Sequence, residues 1–532
     1  MKKLGLLKSF VLAGALAITA TGCGSKQNCG SKQNYFKANP FDYENTYRSL
    51  RINGMGYTAE QYTTVKGQNS EGESTKNYVI SDVKALVIPV DFTDYPIETT
   101  VPYGEEGFKE QLKKVMFGDE DDTDWYSLSG YYKSSSYGTC NVTGDVGPTW
   151  HTNAKSTEYA KTYGTSGSQK IAVAIQDYYR EHSSEIDLTQ YDANKDGYVD
   201  ALIMIYTAPI TTTGELWWAF CWNVGGAYGK YNPELEGVNR FFWASYNFFY
   251  EKYDDTTKST GYYTKEEIVN NNIKPDAHTM THEFGHVLGL PDYYITDYNS
   301  SDYSGLGGLD MMDNNIGDHN AVSKSWYGWI SPYVVTGSTT ITIKSTTTTG
   351  DYIIVPIQGK YKNTLLDQYL AIEFITPEGV AKKDGDEKYL YVYPRYYTKA
   401  GIKVTLVDAR LGLYTYNSSK SAYECSGFVN SISNGNQTYT GFACDNTASD
   451  SIYPGYKLLE LLPANGKTMK AQRTANDSCL FMEGDTFGAK GTIYENYKVH
   501  GISGKNDTKF GFKFTIDAIN GYDSATISFK KI

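Results

Sequence analysis

The chain is short of the features that most readily identify a function. Of its 532 residues only 7 are cysteine and 7 histidine. Cys23, Cys29, Cys140, Cys221, Cys425, Cys444 and Cys479 are widely spaced and form no C-x-x-C pair, so a disulfide framework is not what supports the fold. A Cys425–Cys444 bridge across a loop is the one pairing left open. Past the N-terminus there is no apolar run of 18 residues or more, which excludes a helical membrane span. Basic runs are confined to the extreme N-terminus and the formal net charge is -12, so the electrostatic footprint of a nucleic-acid binder is missing. Also absent are the G-x-S-x-G elbow, a phosphate-cradling glycine loop and a dinucleotide fingerprint.

What remains is 40% hydrophobic and 21% charged, enough for more than one sizeable core. The many tyrosines and glycines, 49 and 51, read as an extracellular chain rich in strands and loops. Lys2, Lys3 and Lys8 precede an apolar run over residues 10–20, the layout of a signal peptide ending near residue 22. The following "ATGC" resembles the lipobox of bacterial lipoproteins, which implies cleavage before Cys23, lipidation of its thiol, and a chain lipid-anchored to the cell surface or outer membrane. Ala20 replaces the more usual leucine, so soluble secretion stays open. Either way the expected location is extracytoplasmic, with membrane attachment through an N-terminal lipid only.

Residues 23–80 are polar and end in "KGQNSEGESTKN", a flexible linker by composition, serving as a lipid tether or a pro-region. Residues 84–92, "KALVIPVDF", form a continuous apolar run that predicts a buried strand, and "ALIMIY" at 201–206 predicts another. Between them Ile171, Ala174, Ile175, Tyr178 and Tyr179 mark an amphipathic helix. Beyond residue 335 helical periodicity gives way to short strands ("TITIKS", "YIIVPI", "YLAIEFI", "GIKVTLVD", "ATISFKK"). The expectation is an α+β chain: a first folded region over 81–335 and a β-rich, sandwich-like region over 336–532.

The chemistry concentrates in "HEFGHVLGLPD". His282 and His286, four apart on a helix, share one face and can meet a single ion. Gly289 and Pro291 end the helix and turn the chain, bringing Asp292 beside the imidazoles to complete a two-His, one-Asp set with a vacant position. Glu283 adjoins the first ligand, where a carboxylate can take a proton from a zinc-activated water and pass it to a leaving group. His278 lies roughly 12 Å along the axis from His286, too far to share that ion, and is read either as a helix-start residue or as one that supports the ligands without touching the ion. With so few histidines, a chance H-E-x-x-H is rare.

Two further stretches carry weaker signals. "DANKDGYVD" sets Asp192, Asn194, Asp196, Tyr198 (through its carbonyl) and Asp200 at alternate positions of an EF-hand-like loop, with Gly197 at the sharp turn. Ile203 stands at the twelfth position instead of glutamate, so a structural calcium site and a self-satisfied polar turn are both open. The aromatic "ELWWAFCWN", residues 215–223, either lines a cleft or packs in a core.

"HEFGHVLGLPD" resembles the H-E-x-x-H-x-x-G-x-x-D signature of the immune inhibitor A family of bacterial metallopeptidases, in the metzincin clan. "ALVIPVDFTDYP", "SGYYKSSSYG", "DANKDGYVDALIMIY", "GGLDMMD" and "AVSKSWYGWI" resemble further family segments in order, from Val83 to Ile330. The resemblance implies a metzincin-like peptidase domain, zinc on His282, His286 and Asp292, Glu283 as general base, and Met312 as the methionine of the turn below the metal, with Met311 its rival. Some metzincins place a tyrosine two residues after that methionine, and here Asn314 stands there, leaving the second electrophile unidentified. The implied function is zinc endopeptidase action on protein or peptide substrates. Two alternatives are a lipid-anchored binding protein with a structural metal, and a zinc hydrolase of non-peptide substrates. Open coordination beside a glutamate argues against the first, since structural zinc sites are usually closed and cysteine-rich. Oligomeric state is not legible.

Overall fold

In a computed structural model of the chain, the residues described are 34–38, 63–68, 74–195, 197–210, 215–224, 237–254, 256–257, 259–296, 302–386, 392–420, 422–429, 438–447, 456–501 and 507–532. The signal segment, Cys23 and Asp196 lie outside them.

Two sheets organise the molecule. The first is built around Asp82–Asp91 and Ala201–Tyr206, which pair in parallel, as a run of apolar residues on both faces requires. Asn141–Val146 lies parallel on one side, Arg240–Ser245 parallel on the other, and Phe220–Asn223 closes that side antiparallel. Gly104–Phe117 packs Phe108, Leu112 and Val115 on one face of the sheet with Val87 and Ile203. Gly167–Glu181 packs Ile171, Ile175 and Tyr179 on the other with Ile88 and Met204. The buried stripe of that second helix is rotated from the one its sequence suggests. Ala172 and Gln176 are buried where Ala174 and Tyr178 were expected, because Gln176 accepts the Val238 N–H and Tyr178 stacks outside on His182.

The second sheet runs Tyr35–Lys37, Tyr333–Val335, Tyr352–Pro356, Gln368–Ile375, Gly401–Asp408 and Leu459–Leu461. A four-stranded sheet that includes Thr339–Lys344, Phe512–Asn520 and Ser524–Lys531 covers one face, and the two share a core of Ile353, Leu370, Val404, Phe514 and Ile527. On its other face Ile354, Ala371 and Val407 belong to the core that also holds Met280, Phe284 and Met312. All five short segments expected as strands beyond residue 335 are strands, and the whole is mixed α and β.

The polar stretch read as a linker behaves differently. Thr63–Gln68 and Ser74–Val79 pair as an antiparallel hairpin, and Tyr35–Lys37 adds an edge strand to Tyr333–Val335. The β-branched Thr63, Thr64 and Val65 suit a strand and residues 69–73, "NSEGE", are rich in turn formers, a signal that overall polarity masks. Cys425 and Cys444 are both free thiols, and Cys444 is buried beside Asp408. No helix among the described residues is long and apolar enough to cross a membrane.

Candidate metal centre and cleft

The helix His278–Val287 is buried along its whole length. It stops where Gly289, at φ 110°, turns left-handed: Gly289 N–H returns to His286 O and Leu290 N–H to Gly285 O, the paired bonds of a Schellman ending. That turn aims Asp292 back at the helix. Asp292 Oδ1 stands 3.1 Å from His282 Nε2 and 3.0 Å from His286 Nε2. The three side chains form a group able to hold a metal ion, with ligand atoms all within 4.8 Å of one another.

The opposite ring nitrogens are engaged by main chain. His282 Nδ1 meets Met311 O at 2.8 Å and His286 Nδ1 meets Leu290 O at 2.7 Å. A carbonyl only accepts, so each neutral ring carries its proton on Nδ1 and turns a lone pair on Nε2 toward the carboxylate. At about 3 Å an imidazole can donate Nε2–H to the carboxylate when protonated or share a cation with it when neutral, and the donor set of two nitrogens and an oxygen fits a zinc-like ion. Burial works against the Asp292 charge, but a protonated His286 beside it holds the carboxyl well below the ordinary carboxylate range.

Glu283 is buried, and its Oε2 has no hydrogen-bond partner among the described residues. Burial pushes its carboxyl up to about 7, Asp292 adds to this, and the Cys221 main-chain N–H donates a hydrogen bond to the carboxylate. With His282, Glu283 lines a cleft of about 500 Å3 whose other walls include Glu251, Tyr262, Tyr294 and Asn314.

Beneath the helix, Asp310 caps the short turn Met311–Asn314 by accepting the Met312 N–H. Met311 supplies the carbonyl that holds His282, whereas Met312 presses its sulfur against Gly285: a β-carbon there would sit 2.4 Å from Met312 Sδ. Asn314 reaches the cleft.

His278 is a helix-start residue, at the first position. It is sandwiched between Trp125 and Tyr393, with Nδ1 2.8 Å from Asp276 and Nε2 3.0 Å from Asp384. Burial opposes its charge, but the two carboxylates prevail and raise it to about 10.

In the acidic loop, Asp192 accepts the Gly197 N–H and Asp200 accepts those of Lys84 and Ala193. The loop therefore satisfies one oxygen of each from its own surroundings and feeds directly into Ala201–Tyr206. Of the aromatic run, Trp217 is buried against Phe92 and Tyr206, while Trp218 is 57% exposed and borders the cleft, so neighbouring residues take both suggested roles.

Several contributors escape a sequence reading. Buried Arg240 donates to His286 O and, at 2.9 Å, to Val287 O, closing the helix C-terminus. Tyr132 and Tyr327 donate to Thr281 O and Gly285 O. The one available signal was an arginine opening the otherwise apolar run "RFFWA", which implies a buried acceptor.

No family model matches the chain. Over 253 residues it is 25% identical to Immune inhibitor A of Bacillus thuringiensis subsp. alesti, a match covering 40% of this chain and 34% of that protein. The chain thus spans about a third of the length of the relative it matches, and the similarity marks a distant relationship to immune inhibitor A.

Proposed function

We propose that the chain is an extracytoplasmic zinc endopeptidase of the immune inhibitor A type, in which His282, His286 and Asp292 hold the metal and Glu283 is the general base. The observation that carries this reading is the convergence of both Nε2 atoms on one Asp292 oxygen while both Nδ1 atoms are fixed by main-chain carbonyls. The distant similarity to immune inhibitor A supports it.

Bound there, zinc would supply Lewis-acid activation of a water and of the substrate carbonyl. The chain's own part falls to Glu283. Its unpartnered Oε2 accepts a proton from the attacking water and hands it to the departing amide nitrogen, while the Cys221 N–H keeps the carboxylate oriented. The carbonyls of Met311 and Leu290 hold the imidazoles in the ligating tautomer, and Met312 supports Gly285 from below.

Lipidation at Cys23 would tether the enzyme outside the cytoplasm. Calcium on the loop of Asp192, Asn194, Asp196, Tyr198 and Asp200 rests on residue spacing alone. Casein digestion by the purified chain, abolished by a zinc chelator and restored by added zinc, is the expected result. Digestion indifferent to chelation would overturn the zinc reading.

A further inference from the structure

Glu251 opens the hairpin of Glu251–Asp254 and Ser259–Tyr262 and faces the same cleft as Glu283. Tyr393 donates its hydroxyl to Glu251 Oε2 at 2.6 Å, and the Thr279 hydroxyl is a second partner. Thr279 precedes Glu283 by four residues on one helix, about 6 Å along the axis, so Glu251 stands roughly one helical turn from the proposed base.

Among the described residues no lysine or arginine forms an ion pair with Glu251, and its charged neighbours include Asp276 and His278, with Arg473 elsewhere on the cleft wall. His278 is already held between Asp276 and Asp384. Burial accordingly pushes the Glu251 carboxyl up to about 7, a cost that an arriving cation would relieve. The adjoining walls are aromatic: Phe248 stands between Trp218 at 5.4 Å and Tyr262 at 6.3 Å, and all three border the cleft. An acid beside apolar rings suits a side chain with an aliphatic stem and a cationic head, since the rings cover the stem and attract the charge.

We propose that Glu251 is a specificity-determining residue that receives the ammonium or guanidinium of a substrate lysine or arginine adjoining the cleaved bond. The inference rests on the peptidase reading of the site, and two measurements keep the two separable. In digestion of a peptide library by the zinc-loaded full chain, lysine and arginine are expected to exceed norleucine about tenfold at one position beside the cut, the scale of one charge-assisted contact. Glu251→Gln should bring the ratio of kcat/KM for lysine over norleucine peptides close to one. A library cut without basic preference, or an unchanged ratio in the variant, overturns the proposal and leaves the peptidase standing.

Equilibrium binding of N-acetyl-lysine methylamide against its norleucine counterpart needs no catalysis. Tighter binding of the lysine compound, lost in Glu251→Gln, supports the proposal even if no peptide is cut, in which case the peptidase reading alone fails. Equal binding of the two compounds by the native chain overturns it.

Discussion

Arg240 donates to the main-chain oxygens of both His286 and Val287, so a buried cation from the first sheet closes the end of the helix that carries both imidazoles. Replacing it with methionine keeps the bulk but removes the charged donor from both carbonyls, leaving His286 O with the Gly289 N–H and Val287 O without its side-chain donor. Arg240→Met is expected to cost about 3 kcal/mol of stability and to weaken zinc binding roughly tenfold by loosening His286. Urea unfolding and a zinc competition titration read the two effects, and an unchanged zinc affinity would show that Arg240 serves the fold alone.

Gly285 and Met312 set a second constraint. Alanine favours a helix interior over glycine by about 1 kcal/mol, yet its β-carbon here meets Met312 Sδ at 2.4 Å. Overpacking costs about 1–3 kcal/mol, so Gly285→Ala should lower stability overall despite the better helix former. The diagnostic is a double-mutant cycle: beside Met312→Ala the same substitution should cost distinctly less. Additive losses would mean that the two do not press on each other.

His278 gives the pH dependence a sign. Its folded pKa, about 10, lies above the usual histidine value, so its contribution is full below about 6.5 and is lost as pH rises through about 10. The native chain should exceed His278→Gln by on the order of 3 kcal/mol at pH 6, and the gap should narrow steadily toward pH 10. Chemical denaturation across that range checks it; a gap that widens with pH would show that the ring is neutral in the fold.

The part of this site that could be read from the sequence is the part that is local. Helical spacing is enough to put His282 and His286 on one face, and Gly289 with Pro291 is enough to turn the chain so that Asp292 returns to them. The partners that fix ring orientation and support the helix come from Cys221, Arg240, Met311 and Tyr327, and no spacing rule connects these to the motif. The fold shows the same division. Apolar runs located the buried strands at Asp82–Asp91 and Ala201–Tyr206, because a strand covered on both faces has few other ways to be written. The stripe of Gly167–Glu181 was read one step askew, because buried Gln176 is polar and exposed Tyr178 is aromatic, so each contradicts the hydropathy rule. The hairpin at Thr63–Gln68 and Ser74–Val79 was hidden by residues that are equally at home in a loop.

Glu283 carries the central claim, and a single comparison tests it. Zinc content and casein digestion should be measured side by side on the native chain and on Glu283→Gln, which keeps the shape of the side chain but cannot take up the proton. The expected result is a single zinc in both proteins, with digestion lost in the variant by roughly a hundredfold or more, the scale of a general base. A variant that keeps its zinc and still digests casein at the native rate would contradict the account.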